Sequence, residues 1–141
     1  MKERELHIEQ IALINKNNKR KLDYRTNEIS INGKWLKFEV TAYTNGYEST
    51  RKRRGHKDYG RTASGVITKE GRTVSADPNI LPIGTIIYID GVGKRRVEDT
   101  GSAIKGYKLD LFIEDLQEAK NFGRKIGVKV KIIKLGKGKI E

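Results

Sequence analysis

Thr85-Ile86-Ile87-Tyr88-Ile89-Asp90-Gly91-Val92-Gly93 and, further on, Leu109-Asp110-Leu111-Phe112-Ile113 decide the fold class of this chain. Both runs are rich in β-branched and aromatic residues. They are too short for a helix of ordinary length, and the first is bounded by glycine, which supplies the turn conformations that other residues resist. Similar runs occur at Val66 to Thr68, Thr73 to Ser75, Arg95 to Glu98 and Gly127 to Lys134, with Gly71, Gly84, Gly101 and Gly106 as further punctuation. Six or more short strands at this spacing predict a mainly β domain, either a closed barrel or a sandwich.

Working outward, Lys34 to Thr41 reads as another strand. Asn32-Gly33 before it suits a two-residue hairpin turn, with Glu28 to Ile31 as the partner strand. Trp35, which alternates with polar neighbours, is expected to be a packing anchor rather than a platform for sugars. Ile8, Ile11 and Ala12 keep the spacing of a short amphipathic helix. One helix interrupts the strands: Asp115 is its expected N-cap with Glu118 three residues on, Leu116, Ala119 and Phe122 form its apolar stripe, and Gly123 ends it. Asn45 to Tyr59, including Arg51-Lys52-Arg53-Arg54, reads as a long exposed basic loop. Residues 136–141 read as a frayed basic tail. The expected organisation is an N-terminal extension (1–36), a barrel domain (37–135) and the tail (136–141).

The chain has 141 residues, enough for one domain with a real core. It lacks cysteine and has only His7 and His56, in separate polar stretches, so thiolate chemistry, a Ser-His-Asp triad and a His-rich metal site are disfavoured. No metal or cofactor is expected, and catalysis would fall to carboxylates. A formal charge of +12 calls for an anionic partner: nucleic acid, a membrane surface or an anionic wall polymer. Nucleic acid is disfavoured, because the cations are dispersed and no nucleic-acid motif accompanies them. No apolar run is long enough to span a bilayer, and Met1-Lys2-Glu3-Arg4-Glu5 lacks the apolar core of a secretory signal. A leader removed before this chain begins, or a phage origin, would account for that.

Three aspartates stand in unusual contexts: Asp77 in Ser75-Ala76-Asp77-Pro78, Asp99 in Glu98-Asp99-Thr100-Gly101, and Asp110 in Leu109-Asp110-Leu111-Phe112. Strand alternation sends Leu109 and Leu111 one way and Asp110 with Phe112 the other. A carboxylate so placed needs a partner or a raised pKa. Singly, each aspartate has an ordinary structural explanation in a turn or on a surface. In this order, Ser-Ala-Asp-Pro-x-x-x-Pro-x-Gly-Thr, Glu-Asp-Thr-Gly-Ser-Ala-Ile-Lys-Gly and Leu-Asp-Leu-Phe are far more specific.

With Phe38-Glu39-Val40-Thr41-Ala42-Tyr43-Thr44 at its start, the segment to about Lys134 resembles the 3D domain, named for its three aspartates, of Gram-positive and phage-related cell-wall proteins and stationary-phase muralytic enzymes. Asp99 to Gly106, with Asp110 beyond it, also resembles the catalytic half of membrane-bound lytic transglycosylase A. The resemblance implies a six-stranded double-psi β-barrel with one or two short helices. It places Asp110 at the catalytic position with Asp99 and Asp77 beside it, and Thr41, Tyr43, Thr100, Gly101, Lys105 and Gly106 among the substrate contacts. It further implies an extracellular or wall-bound peptidoglycan lytic transglycosylase cleaving the β-1,4 bond between N-acetylmuramic acid and N-acetylglucosamine. A hydrolytic glycosidase of the same fold and a non-catalytic polysaccharide-binding barrel are the alternatives. Binding to anionic wall polymers would use the basic surface.

Overall fold

The computed structural model describes residues 34–140. The helix expected around Ile8 to Ala12, and the first strand and turn of the N-terminal hairpin, lie outside the described residues. Six strands form the body: β1 (Trp35–Tyr43), β2 (Thr73–Ala76), β3 (Ile86–Ile89), β4 (Gly93–Asp99), β5 (Lys108–Phe112) and β6 (Lys125–Lys134). Among the described residues two short helices accompany them, α1 (Tyr47–Thr50) and α2 (Leu116–Phe122).

The strands pair in the order β1-β5-β2-β4-β3-β6, and β6 returns to β1, so the sheet closes into a ring. β1 with β5 and β2 with β4 are parallel; the other four pairings are antiparallel. Closure removes the unpaired edges that an open six-stranded sheet would expose. Alternation fills the interior: Leu36, Phe38 and Val40 of β1, Val74 and Ala76 of β2, Ile87 and Ile89 of β3, Leu109 and Leu111 of β5, and Val130 and Ile132 of β6 form one buried cluster. The alternate residues, among them Trp35, Thr41, Ser75, Tyr88, Asp110 and Lys131, therefore lie on the outer face.

Helix α2 begins as its sequence indicated, the Asp115 carboxylate accepting from the Glu118 N–H over 2.9 Å, and Gly123 follows at a positive φ of 65°. Four features differ from expectation. Val66 to Thr68 makes only an isolated bridge, Ile67 to Arg61, because both flanks of β2 are already taken by β4 and β5. The basic loop contains α1, and the guanidinium groups of Arg51 and Arg53 lie over the Tyr47 ring, at 5.6 and 4.4 Å from its centroid.

Trp35 is 42% exposed, on the outer face rather than in the core. The last residues are fastened rather than frayed: Gly136 N–H donates to Thr85 Oγ1 and Gly138 N–H to the Ile83 carbonyl, each over 2.9 Å, and Leu135 and Ile140 pack against the core. Gly136 is required there, since a Cβ would run into the backbone of Ile83, Gly84 and Thr85.

Candidate active site

On the outer face, the register sets four polar residues side by side across four strands: Thr41 of β1 opposite Asp110 of β5, Asp110 opposite Ser75 of β2, and Ser75 opposite Asp99 of β4. The last alignment depends on a β-bulge. Val74 pairs with Val97, yet Ser75 pairs with Asp99, so Glu98 is an extra residue in β4. A bulge re-aims the side chains after it, here bringing Asp99 into the row. Glu98 is fully buried beneath Arg72 and Arg96, whose Nε atoms lie 2.7 and 2.6 Å from its Oε2, while Thr73 Oγ1 donates to Oε1 over 2.6 Å.

Asp110 accepts one hydrogen bond from Thr41 Oγ1, 2.9 Å to Oδ1. No other donor to this carboxyl occurs among the described residues. Burial raises its pKa above the ordinary carboxylate value; the negative charge of Asp99 adds to the rise, and the Thr41 hydrogen bond opposes it. Asp99 is bound quite differently. Its Oδ1 accepts from the backbone N–H groups of Ala63 (2.8 Å) and Thr100 (2.9 Å), and its Oδ2 accepts from Tyr43 Oη (3.0 Å). Tyr43 is itself buried, stacked edge-on against Phe112, and its hydroxyl is held protonated by burial first and by the Asp99 charge second. Two carboxyl groups in one row thus sit in opposed environments, one with three donors and one with a single donor. That asymmetry is what acid/base work requires.

Asp99 and Asp110 line one cleft of about 390 Å³, together with Tyr43, Ser75, Thr100, Gly101 and Ile104 and with Ser49, Thr50, Lys52 and Arg61 to Ala63. A hollow of about 200 Å³ at the fastened C-terminal residues is lined by Arg96, Lys134, Lys137 and Lys139 and contains no carboxylate, so it offers no comparable chemistry. Among the described residues, no group of three or more histidine, aspartate or glutamate side chains could hold a metal ion.

Of the residues singled out in the sequence, Asp99, Asp110, Tyr43, Thr100 and Gly101 line the cleft, and Thr41 stands directly behind Asp110. Asp77 does not line it. Its carboxylate accepts from Gly106 N–H (2.9 Å) and Asn79 N–H (3.0 Å), which ties the loop after β4 to the end of β2. Gly106 contributes that backbone donor, and Lys105 is exposed away from the cleft lining. Ser75, Lys52 and the segment Arg61-Thr62-Ala63 are cleft residues that the sequence reading did not single out. Ser75 lay inside a quoted motif. The approach of Ala63 to Asp99 spans 36 positions and has no local signature.

Residues 72–134 match the 3D domain profile. The Bacillus subtilis (strain 168) protein YabE, whose name assigns it to cell wall shaping, is 36% identical over 112 residues, covering 77% of this chain and 25% of that protein. The cell wall-binding protein YocH of the same organism is 39% identical over 75 residues, covering 50% of this chain and 26% of YocH. The chain thus spans about a quarter of the length of these curated relatives. A crystal structure of MltA from Escherichia coli superposes with a TM-score of 0.46 at 22% identity, covering 55% of this chain and 28% of that one. The matched segment, which runs from the start of β2 to the end of β6, is a 3D domain.

Proposed function

We propose that this domain is a peptidoglycan lytic transglycosylase and that Asp110 is its single acid/base. The observation that carries the reading is the environment of Asp110: a cleft carboxyl with one donor, raised in pKa by burial and by Asp99, in a row whose other carboxylate accepts three hydrogen bonds. A neutral Asp110 can protonate the glycosidic oxygen between N-acetylmuramic acid and N-acetylglucosamine. The resulting carboxylate can then take the proton of the muramyl C6 hydroxyl as that oxygen attacks C1, closing a 1,6-anhydro ring without water. One group serves both steps, so no second proton-transfer residue is needed.

In this reading Asp99 supplies the charge that favours neutral Asp110, Tyr43 and Thr41 orient the two carboxyls, and Thr100 and Gly101 contact the sugar. Asp77 and Gly106 act by holding the loop that carries Thr100 and Gly101, and Lys105 is an exposed cation of that loop rather than a cleft contact. The substrate class is supported by the wall-related names of YabE and YocH. The wall, outside the membrane, is then the place of action, and no helix among the described residues is long and apolar enough to cross a bilayer. The basic run Arg51 to Arg54 and the C-terminal lysines would add attachment to anionic wall polymers. We also read the ring as a double-psi barrel, a reading supported by its two parallel pairs set among four antiparallel ones.

The test is the mass of the products from purified peptidoglycan. Anhydromuramyl ends support transglycosylation, whereas products heavier by one water mean a hydrolase of the same fold. Binding without any cleavage means a polysaccharide-binding barrel, the reading that the name of YocH favours.

A further inference from the structure

A second row crosses the outer face at the other end of β1. Trp35 of β1 is opposite Lys131 of β6, Lys131 is opposite Tyr88 of β3, and Tyr88 is opposite Lys94 of β4. Aromatic and cationic side chains thus alternate across four strands. Trp35 and Tyr88 are each 42% exposed and meet edge to face, with ring centroids 6.4 Å apart, while Lys131 Nζ sits 4.3 Å from the centroid of the Trp35 ring. The two exposed rings thus adjoin on the surface, and none of these four residues lines the carboxylate cleft. Trp35 and Thr41 share one face of β1, six positions apart, which strand rise converts to roughly 20 Å.

We propose that this row is an accessory binding surface for an acidic glycan, an amino-sugar chain bearing carboxylates, separate from the cleft but on the same outer face. The proposal rests on the peptidoglycan reading above. Flat sugar faces present C–H groups that pack on exposed rings, and Trp35 and Tyr88 supply two rings at an angle that accommodates a turning chain. Lys131 and Lys94 complement the carboxylates that such a chain carries. A phosphodiester polymer is the poorer occupant, because its charges lie in the backbone itself and would be drawn past Asp99 and Asp110, whereas the glycan carries its carboxylates on pendant groups that can turn away. The surface would hold a long strand while the cleft works on one bond of it.

Trp35 is the only tryptophan in the chain, so its fluorescence reports this row alone. The experiment titrates the full chain, and its Asp110→Asn variant, with glycan strands that retain stem peptides, released from purified peptidoglycan. A single-stranded oligonucleotide is the comparison ligand. Expected is a saturable change in Trp35 emission with the glycan in both proteins, an affinity loss of about fivefold to tenfold in Tyr88→Ala, and a similar loss in Lys94→Glu that shrinks at high salt.

No response to the glycan, an equal response to the oligonucleotide, or an unchanged affinity in Tyr88→Ala would overturn the proposal. So would protection of Trp35 from acrylamide quenching in the free full chain, which would mean that the chain covers its own row. Products from sacculi separate this idea from the catalytic one. Cleavage with a silent Trp35 removes the surface and leaves the cleft reading intact; a responding Trp35 without cleavage does the reverse.

Discussion

Thr41 and Asp110 face each other across the parallel pair β1–β5, the threonine hydroxyl donating to the aspartate carboxyl over 2.9 Å. This is the one donor that Asp110 has among the described residues, against three for Asp99. The difference makes the protonation of Asp110 a property of the fold as much as of the chemistry.

A stability consequence follows from the raised pKa. The folded protein holds the Asp110 proton to higher pH than the unfolded chain does, so this group's contribution is fully present below the unfolded carboxylate pKa and is lost as pH rises through the folded one. Asp110→Asn, which cannot ionise, should therefore raise the unfolding midpoint at neutral pH, and the gain should fade as pH falls toward that of an unperturbed carboxylate. Denaturant melts of both proteins at acid and neutral pH check this; a loss of stability at neutral pH would contradict it.

Asp99 acts on Asp110 through charge. In Asp99→Asn the pKa of Asp110 should fall, so the alkaline limb of the pH–activity profile should move to lower pH. Tyr43→Phe keeps the Asp99 charge but removes a donor to it, and should leave that limb nearly in place while costing about 1–3 kcal/mol of stability. The two profiles, measured side by side, separate electrostatics from support.

Glu98 should be the costliest single carboxylate to lose. It is fully buried between the partly exposed Arg72 and Arg96, so Glu98→Ala removes their shared carboxylate and the acceptor of Thr73 Oγ1 and leaves a void beneath them. The expected loss is on the order of 2–4 kcal/mol, a large share of the roughly 5–15 kcal/mol that holds a domain of this size together. Chemical denaturation measures it; a loss below about 1 kcal/mol would mean that the pair is worth no more than a surface bridge.

Much of the fold could be read in the sequence because its strands alternate. Leu109 and Leu111 are in the core, and Asp110 and Phe112 leave on the opposite side, as alternation requires. Helix α2 carried its own cap and stop. The site was legible in part: Asp99 and Asp110 stood in unusual motifs, but the row they share depends on register and on the bulge at Glu98, and neither leaves a local pattern. Ala63 reaches Asp99 through a loop whose path is set by tertiary contacts. Lys- and Gly-rich composition made the C-terminus look solvated, whereas Gly136 is needed for its close backbone approach.

That close approach gives a further expectation. Gly136→Ala should force the C-terminal residues off the Ile83 to Thr85 turn and cost about 1–3 kcal/mol, as overpacking does. Faster amide exchange at Gly136 and Gly138 in the variant would register the release, while unchanged protection would show that the contact is not tight.

The most direct test of the account compares wild type and Asp110→Asn on purified peptidoglycan, with products resolved by mass spectrometry. Asn keeps the shape of Asp and can still accept from Thr41, but it can neither deliver nor take the proton. The account predicts 1,6-anhydromuramyl ends from wild type and a fall in rate of roughly 10²–10⁴-fold in the variant, with folding intact. Anhydro product from Asp110→Asn at a rate near that of wild type would contradict the role assigned to Asp110.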